Sequence, residues 1–244
     1  MSGTTDVVVP TRCLVRRREL RQFIKVCSVE PLLVLTIGQA PRDDIEKELR
    51  QVLGARPIEV RGALDGLSTD EITHLAPQNA SDTFHTRLAN GADVMISKQA
   101  ATIRLQELLI ERESRPVLVA CTGKFTGLPN YPNVLFPSTI LEGVVDAVAP
   151  AECTLGVLVP LAEQVESLAR QWQRSDRGVV VAAVKPGEDP TAAAAILAGA
   201  EVDLVVLDCF GYETSLLHRV REITGVPVLS AVRCTAHIAS ELLG

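Results

Sequence analysis

Beyond the first 30 residues, uninterrupted apolar runs of strand length alternate with segments in which apolar residues recur every three or four positions. The run LLVLTIG at 32–38 predicts a buried strand, and the segment PRDDIEKELRQVL at 41–53 predicts the helix that follows it. Pro41 suits the first position of that helix. Ser68 and Glu71 have the spacing of a capping box, and they predict the start of the next helix.

The same alternation continues to the end of the chain. Strands with no polar interruption are typical of parallel sheets whose two faces are both covered by helices, so the predicted fold class is α/β. The further strands predicted by apolar runs are RPIEVRGA, ADVMISK, RPVLVACTGKF, CTLGVLVP, GVVVAAVKP, DLVVLDCFGY and VPVLSAVRC.

The pattern restarts after Pro150, which favours two sheets sharing a central cleft over one doubly wound sheet. We therefore predict a first lobe at 31–149 and a second at 150–213. The strand and helix of 214–244 are expected to return to either lobe. The first 30 residues, with three consecutive arginines, are predicted to form an N-terminal extension, a short helix or a flexible arm.

Two predicted strands end in the same way, with Cys121 and Cys209 each placed where an apolar run gives way to a turn. Loops at the carboxyl ends of parallel strands form the ligand crevice in such folds. Backbone N–H groups and a helix N-terminus at these ends lower a thiol pKa toward neutrality, so that a thiolate and a thiol coexist. Such a pair can invert a carbon centre without a cofactor. The alternative is that both cysteines are small packing residues.

Composition excludes several classes of protein. A net charge of -6 and an aromatic content of 3% disfavour nucleic-acid binding. No stretch has the ~20 apolar residues of a membrane helix, and no export signal is evident at the N-terminus, so a cytoplasmic location is predicted. The six cysteines contain no C-x-x-C and the four histidines have no metal-ligand spacing, which predicts reduced thiols and no metal site. Neither G-x-G-x-x-G nor a P-loop is present.

Six segments carry a resemblance to a known family. LTIGQAPRDDI, GALDGLSTDEI, VMISK, VLVACTGKF, LGVLVPLAEQ and LVVLDCFGY, in this order, resemble the AroM protein family. That family is more distantly similar to the aspartate/glutamate racemase superfamily, which includes hydantoin racemase, maleate isomerase and arylmalonate decarboxylase. The resemblance implies two pseudo-symmetric α/β lobes, one catalytic cysteine from each, and no cofactor. By position, Cys121 and Cys209 match those cysteines.

The residues after each cysteine depart from the superfamily pattern. Asn followed by Thr or Ser is typical after the first cysteine, where this chain has Thr122 and Gly123; Thr-His is typical after the second, where it has Phe210 and Gly211. The resemblance therefore does not extend to the groups that hold an amino acid, and racemisation of aspartate or glutamate is not implied.

Other residues at predicted strand ends are candidates for binding a substrate. Gly38 allows close backbone approach, Arg42 can clamp a carboxylate or instead pair with Asp65 or Glu46, and Lys98 can hold an anion. Thr122 and Gly123 are candidates for an oxyanion hole. The further candidates are Gln39, Pro160, Gln164, Gly211 and Tyr212.

These observations predict a cofactor-independent racemase, epimerase or isomerase of a small carboxylate, with Cys121 and Cys209 exchanging protons. The alternatives are a decarboxylase or cis-trans isomerase on the same scaffold, or a non-catalytic metabolite-binding or regulatory protein. The predicted partner is a small carboxylate, with neither nucleic acid nor membrane involved. The substrate, its stereochemistry and the assembly of the chain as a monomer or homo-oligomer stay open.

Overall fold

The structure, a computed structural model, describes residues 31–112, 114–129, 131–174 and 176–243. The predicted extension at 1–30, with Cys13 and Cys27, lies outside the described residues. Across the described ranges the chain forms an α/β fold in which helices flank two parallel sheets. None of the helices described there has the length and apolar character needed to cross a membrane.

The elements are numbered in chain order. The strands are β1 (Leu32–Thr36), β2 (Ile58–Gly62), β3 (Thr83–Arg87), β4 (Asp93–Ser97), β5 (Val117–Val119), β6 (Val134–Leu135), β7 (Thr154–Val159), β8 (Gly178–Ala183), β9 (Leu204–Leu207) and β10 (Val228–Ser230). The helices are α1 (Asp43–Leu53), α2 (Thr69–His74), α3 (Lys98–Glu111), α4 (Pro137–Val148), α5 (Val165–Trp172), α6 (Thr191–Gly199), α7 (Thr214–Thr224) and α8 (Ala231–Leu243), with short 3-10 turns at Ala80–Asp82 and Ala162–Gln164.

Each parallel sheet has four strands. The first has the order β2-β1-β5-β6 and the second the order β10-β9-β7-β8. Strands β1, β5 and β9 are buried along their whole length, because helices cover both faces of each sheet. This burial explains why their sequences are uninterrupted apolar runs.

Strands β3 and β4 form a separate antiparallel hairpin. The segment ADVMISK had been expected to lie in a parallel sheet, and that expectation is wrong. A parallel connection needs a crossover of about a dozen residues or more. Here the turn at 88–92 is short: the N–H of Leu88 donates to the carbonyl of Ala92 at 2.8 Å, and Gly91 supplies the required positive φ of 84°. The hairpin follows from this tight turn.

The observed starts of α1 and α2 test the two helix starts that were predicted from the sequence. The capping box is confirmed, since Ser68 Oγ accepts from the Glu71 N–H at 3.3 Å and a Glu71 carboxylate oxygen accepts from the Ser68 N–H at 2.8 Å. Pro41, in contrast, is not the first residue of α1. The helix begins at Asp43 with Arg42 at the N-cap, so Pro41 lies in the approach to the helix.

The end of the chain contributes to both halves of the molecule. Strand β10 joins the second sheet beside β9, while α8 packs against α1 and α4. The strand predicted to reach Cys234 ends at Ser230, and Cys234 lies inside α8. The largest core cluster takes side chains from both sheets, including Val34 of β1 and Val157 of β7. The two sheets are therefore joined through a shared apolar core.

Candidate active site

The two cysteines lie at equivalent places in the two sheets. Cys121 follows the last residue of β5 by two positions, and Cys209 follows the last residue of β9 by two positions. Both half-buried side chains line the same cavity, whose volume is about 150 Å³. A cavity of roughly this size holds a benzene molecule in another protein. The site is therefore matched to a small ligand that contacts both thiols.

The local geometry around the two sulfurs is also alike. Sγ of Cys121 accepts a hydrogen bond from the Gly123 N–H at 3.3 Å, and Sγ of Cys209 accepts from the Gly211 N–H at 3.4 Å. At Gly123, a Cβ would lie 2.3 Å from Cε1 of Phe84, so a larger residue there would displace the Phe84 ring. The duplicated sequence pattern thus corresponds to a duplicated donor arrangement at sulfur.

Burial dominates the ionisation of both thiols. It raises the pKa of Cys121 to about 12 and that of Cys209 to about 12, although the backbone N–H at each sulfur acts in the opposite direction. The negative charge of Asp208 adds to both increases. The expectation of thiol pKa values near neutrality is wrong. The reason is that desolvation has the larger effect, and the one backbone N–H that bonds to each sulfur does not offset it.

These pKa values predict slow alkylation at neutral pH. Iodoacetamide should react with Cys121 and Cys209 far more slowly than with an unfolded thiol at about pH 7.5, and the rate should rise about tenfold per pH unit well beyond pH 9. Mass spectrometry of labelled peptides measures both sites separately, with the urea-unfolded protein as the reference. A rate that levels off below about pH 8 would contradict the raised pKa values.

Arg42 lies in the cavity wall, but its guanidinium is already occupied. Nε and one terminal nitrogen donate to the two carboxylate oxygens of Asp44 at 2.9 and 2.8 Å, and the other terminal nitrogen donates to Thr36 Oγ1 at 3.2 Å. The sequence had suggested Asp65 or Glu46 as alternative partners of Arg42, but the partner in the structure is Asp44. Because Asp44 fills the bidentate face, Arg42 is a fixed part of the wall and not a free clamp for a carboxylate.

The paired charges continue into the hairpin. Arg87 Nε lies 3.0 Å from an oxygen of Asp93, and another nitrogen of Arg87 lies 3.7 Å from Asp44. Nε2 of His85 lies 3.7 Å from Asp93, and burial lowers the pKa of this histidine. The positive charge of Arg87 is balanced by Asp93 and Asp44, so these side chains contribute little net charge to the cavity and mainly form its wall.

Lys98 and Thr86 are different, because each has polar capacity to spare. Nζ of Lys98 lies 5.4 Å from the ring centroid of Phe84, and no acidic side chain within the described ranges forms an ion pair with it. Oγ1 of Thr86 also has no hydrogen-bond partner in the described part of the chain, but it is buried against Gly38, where an added Cβ would lie 2.4 Å from it. The unpaired ammonium of Lys98 is therefore the group suited to binding an anion.

Two residues predicted to bind substrate instead hold loops together. A Cβ at Gly38 would lie 2.2 Å from the carbonyl oxygen of Arg87, so this glycine allows the hairpin, and not a ligand, to approach the end of β1. The Gln39 amide nitrogen donates to the carbonyl of Leu64 at 3.2 Å, and its oxygen accepts from the Ala89 N–H at 3.1 Å. Neither Gly38 nor Gln39 lines the cavity.

Tyr212 is also directed elsewhere. Its side chain is fully buried, and its hydroxyl donates to the carbonyl of Val184 at 2.7 Å. The residue packs in the second sheet's core and does not line the cavity. Tyr212 is close to Cys209 along the chain, but its hydroxyl is used within the protein and does not reach the cavity.

Thr122 and Gly123 do line the cavity, but their donors are used within the protein. Thr122 Oγ1 donates to the main-chain carbonyl of Asp208 at 3.2 Å, and the Gly123 N–H donates to Cys121 sulfur. The expected oxyanion hole is therefore not preformed by these two groups. The bond from Thr122 instead joins the loop after β5 to the loop after β9.

Asp208 is a buried acid beside this junction. Trp172 Nε1 donates to Oδ2 of Asp208 at 2.8 Å, and the carboxyl lines the cavity next to both thiols. Burial raises the pKa of Asp208 to about 6, against the effect of the tryptophan bond. Its position before Cys209 is visible in the sequence, but the tryptophan that holds it is 36 residues away.

The cavity thus combines predicted and unpredicted residues. The predicted ones that line it, besides the two cysteines, are Arg42, Lys98, Thr122, Gly123, Pro160, Gln164 and Gly211. The unpredicted ones of most chemical interest are Asp44, Phe84, Thr86, Arg87 and Asp208. The run TFHTR of β3 was the available signal for three of them. In the described ranges, no three histidine, cysteine or acidic side chains cluster as they would around a metal ion.

Comparison with known proteins agrees with the resemblance noted in the sequence. The profile of the AroM protein family matches residues 32–243. The chain belongs to the AroM family. No curated protein matches it.

Several solved structures share the fold of this AroM family member. Unliganded arylmalonate decarboxylase aligns with a TM-score of 0.52 at 11% identity, covering 88% of this chain and 93% of the other. Maleate isomerase from Pseudomonas putida aligns with a TM-score of 0.51 at 15% identity, also covering 88% and 93%. At this identity the similarity establishes a shared α/β fold.

Proposed function

We propose that this AroM family member is a cofactor-independent racemase, epimerase or related isomerase of a small carboxylate. The observation that carries the proposal is that Cys121 and Cys209 line the same small cavity from equivalent strand ends. One thiolate removes a proton from the ligand carbon, and the facing thiol delivers a proton to the other side. The named neighbours, an isomerase and a decarboxylase, act on carboxylates of this general kind.

Electrostatics favour one ionised thiol at a time. The charge of Cys121 raises the pKa of Cys209, so formation of a thiolate on one side keeps the other side protonated. Arg42 lowers the pKa of both thiols, and Lys98 lowers that of Cys121. Both thiols are protonated at neutral pH in the free protein, so inversion requires that one of them ionise when the ligand is bound; the other then stays protonated and acts as the acid.

Lys98 is the proposed carboxylate anchor. It lines the cavity directly after β4, and no acidic side chain in the described ranges forms an ion pair with its ammonium group. Lys98 is near enough to Cys121 to influence its pKa, so a carboxylate held there places its α-carbon beside the thiols. The proposed reaction then proceeds through a negative charge that develops on the bound carboxylate, close to this ammonium group.

Replacing Lys98 with glutamine is expected to weaken substrate binding. A hydrogen bond to a charged group contributes about 1.5–3 kcal/mol, so KM should rise about 10- to 100-fold with a smaller change in kcat. Steady-state kinetics measures KM and kcat, with the carboxylate that the isotope-exchange assay described next identifies as a substrate. Lys47→Gln is the matched control, because Lys47 is exposed on α1 and carries the same charge. Equal effects of the two variants would contradict the anchor.

The reaction itself is tested by solvent isotope exchange. The protein is incubated in deuterium oxide with single enantiomers of small 2-substituted carboxylates, and proton NMR and chiral chromatography follow each acid. Deuterium incorporation together with inversion supports the proposal. Protection of both thiols from alkylation by an acid that undergoes neither change identifies a binding protein instead.

Decarboxylation is a second candidate that one observation favours. Raised pKa values keep both thiols protonated, and a protonated thiol can deliver a proton to a carbanion left by loss of carbon dioxide. 2-Substituted malonates test this, since released carbon dioxide separates decarboxylation from inversion. Cis-trans isomerisation of maleate, with a thiolate adding to the alkene, is tested by the same NMR assay.

The proposed chemistry also has a cellular requirement. Both cysteines must remain reduced, and the described cysteines are free thiols. A reducing compartment such as the cytoplasm meets this requirement, and we propose that location with a small carboxylate as the partner.

A further inference from the structure

Three acidic residues line the cavity, and only one lacks a cationic partner. Asp44 pairs with Arg42, and Asp93 pairs with Arg87. Asp208 is more enclosed than either of them, at 5% exposure, yet no cation in the described ranges forms an ion pair with it. The side chains that contact its carboxyl group within the described part of the chain are neutral: the indole of Trp172, which donates a hydrogen bond, and the hydroxyl of Thr122. Asp208 is therefore the acid whose charge is least supported in the empty cavity.

The charged groups around Asp208 do not alter this conclusion. Glu142 of α4 raises its pKa and Lys124 lowers it, but these two pair with each other at 2.8 Å and their effects oppose. Cys121 and Cys209, on the adjoining loops, are protonated at neutral pH because their pKa values are raised to about 12. The hydrogen bonds to Asp208 come from neutral groups: Trp172 donates to its carboxyl oxygen Oδ2, and Thr122 donates to its main-chain carbonyl.

We propose that Asp208 takes up a proton when a carboxylate ligand enters the cavity, and that the neutral carboxyl then donates a hydrogen bond to an oxygen of that ligand. This rests on the proposed function for the class of ligand. The proton comes from solvent and adds to the carboxylate, and no other bond forms or breaks. Trp172 occupies Oδ2, which leaves Oδ1 to carry the proton.

The physical reason is repulsion between two enclosed carboxylates. Like charges in a site of low dielectric cannot both remain ionised without cations, and one pKa rises strongly. Lys98 and Arg42 favour the charge of the ligand or of Asp44, so Asp208 is the group that becomes neutral. A neutral acid at this position also strengthens its hydrogen bond as negative charge develops on the ligand during proton removal.

The pH dependence of binding follows with a definite sign. Burial raises the pKa of Asp208 to about 6 in the empty protein, and ligand binding raises it further. Binding therefore takes up a proton at any pH between these two values. Affinity is constant below about pH 6 and falls about tenfold per pH unit above it, until the pKa of the complex is reached.

The protein carries its own reporter for this titration. The sequence contains one tryptophan, and its Nε1–H is bonded to Asp208. The indole N–H resonance and the fluorescence should titrate with a midpoint near the pKa of about 6 in the free protein. Saturating malonate or maleate, used as probes, should move that midpoint upward by about one pH unit or more.

Asp208→Asn supplies the matched variant, because asparagine copies the neutral acid and still accepts from Trp172. It should show no titration near pH 6 and should bind malonate at about pH 8 roughly tenfold or more tightly than the natural protein. If this variant does not fold, calorimetry of the natural protein in buffers of different ionisation enthalpy measures the uptake directly. Uptake of about 0.2 to one proton per bound ligand is expected near pH 7.5, rising with the extent to which binding raises the pKa of Asp208 above about 6.

The outcomes separate this inference from the proposed function. A midpoint that neither probe moves, or binding without proton uptake, overturns the inference even if isotope exchange occurs. A shifted midpoint with no exchange, decarboxylation or isomerisation of any acid supports the inference and refutes the proposed catalysis. Unchanged affinity of Asp208→Asn across the pH range also overturns it.

Discussion

Replacing either Cys121 or Cys209 with serine is expected to abolish inversion of the substrate, with a loss of about 100- to 10,000-fold in kcat. Serine preserves the shape of the side chain, but its hydroxyl is a far weaker acid than a thiol. Each variant should retain deuterium exchange on the face served by the remaining thiol. Chiral chromatography measures inversion, and NMR measures exchange in the same sample.

Cys234→Ser is the control for these variants. This cysteine is half-buried in α8 and does not line the cavity, so inversion should proceed at the normal rate. Normal inversion by either Cys121→Ser or Cys209→Ser would refute the two-base arrangement. Loss of inversion and exchange together in only one variant would indicate a single acting thiol, as in a decarboxylase.

Gly38→Ala is expected to lower the free energy of unfolding by about 3 kcal/mol. The added Cβ would lie 2.2 Å from the carbonyl oxygen of Arg87 and 2.4 Å from Thr86 Oγ1. The first contact is with backbone, so a rotamer change cannot relieve it. The hairpin must move away from β1, and activity should fall with stability because Lys98 and Phe84 depend on the hairpin. Urea unfolding followed by circular dichroism measures the change.

Gly143→Ala is the comparison for that variant. Nothing lies within 4 Å of a Cβ at Gly143, which is inside α4. Alanine there should stabilise the protein by about 0.5–1 kcal/mol through helix propensity alone. If Gly38→Ala unfolds at the same urea concentration as the natural protein, the close approach of the hairpin is not a constraint.

The sequence predicted those parts of the fold that depend on local pattern. Continuous apolar runs identified β1, β5 and β9, and the spacing of Ser68 and Glu71 located the start of α2. It missed β3, because TFHTR has ionisable side chains, His85 and Arg87, at two of its five positions and is not an uninterrupted apolar run. The placement of each cysteine at a ligand-binding end of its own sheet was also predictable, since ligands bind at the carboxyl ends of parallel strands.

The chemistry of the site was less predictable, because it depends on distances between remote residues. Burial of the thiols follows from closure of the cavity, and no stretch of ten residues around Cys121 indicates it. Gln39 and Tyr212 were assigned to the substrate because they are polar and near strand ends. Their partners are loops and strands elsewhere in the chain.

The apolar core that joins the two sheets has a consequence for how a ligand enters. Helix α8 lies against α1 and α4, and Thr214 of α7 donates to Glu48 of α1 at 2.6 Å. Spreading the halves apart like a clamshell would expose this core to water, at a cost of about 25 cal/mol for each Å² of apolar surface. We therefore expect a ligand to enter without separation of the two sheets, so that the strand ends carrying Cys121 and Cys209 keep their relative positions.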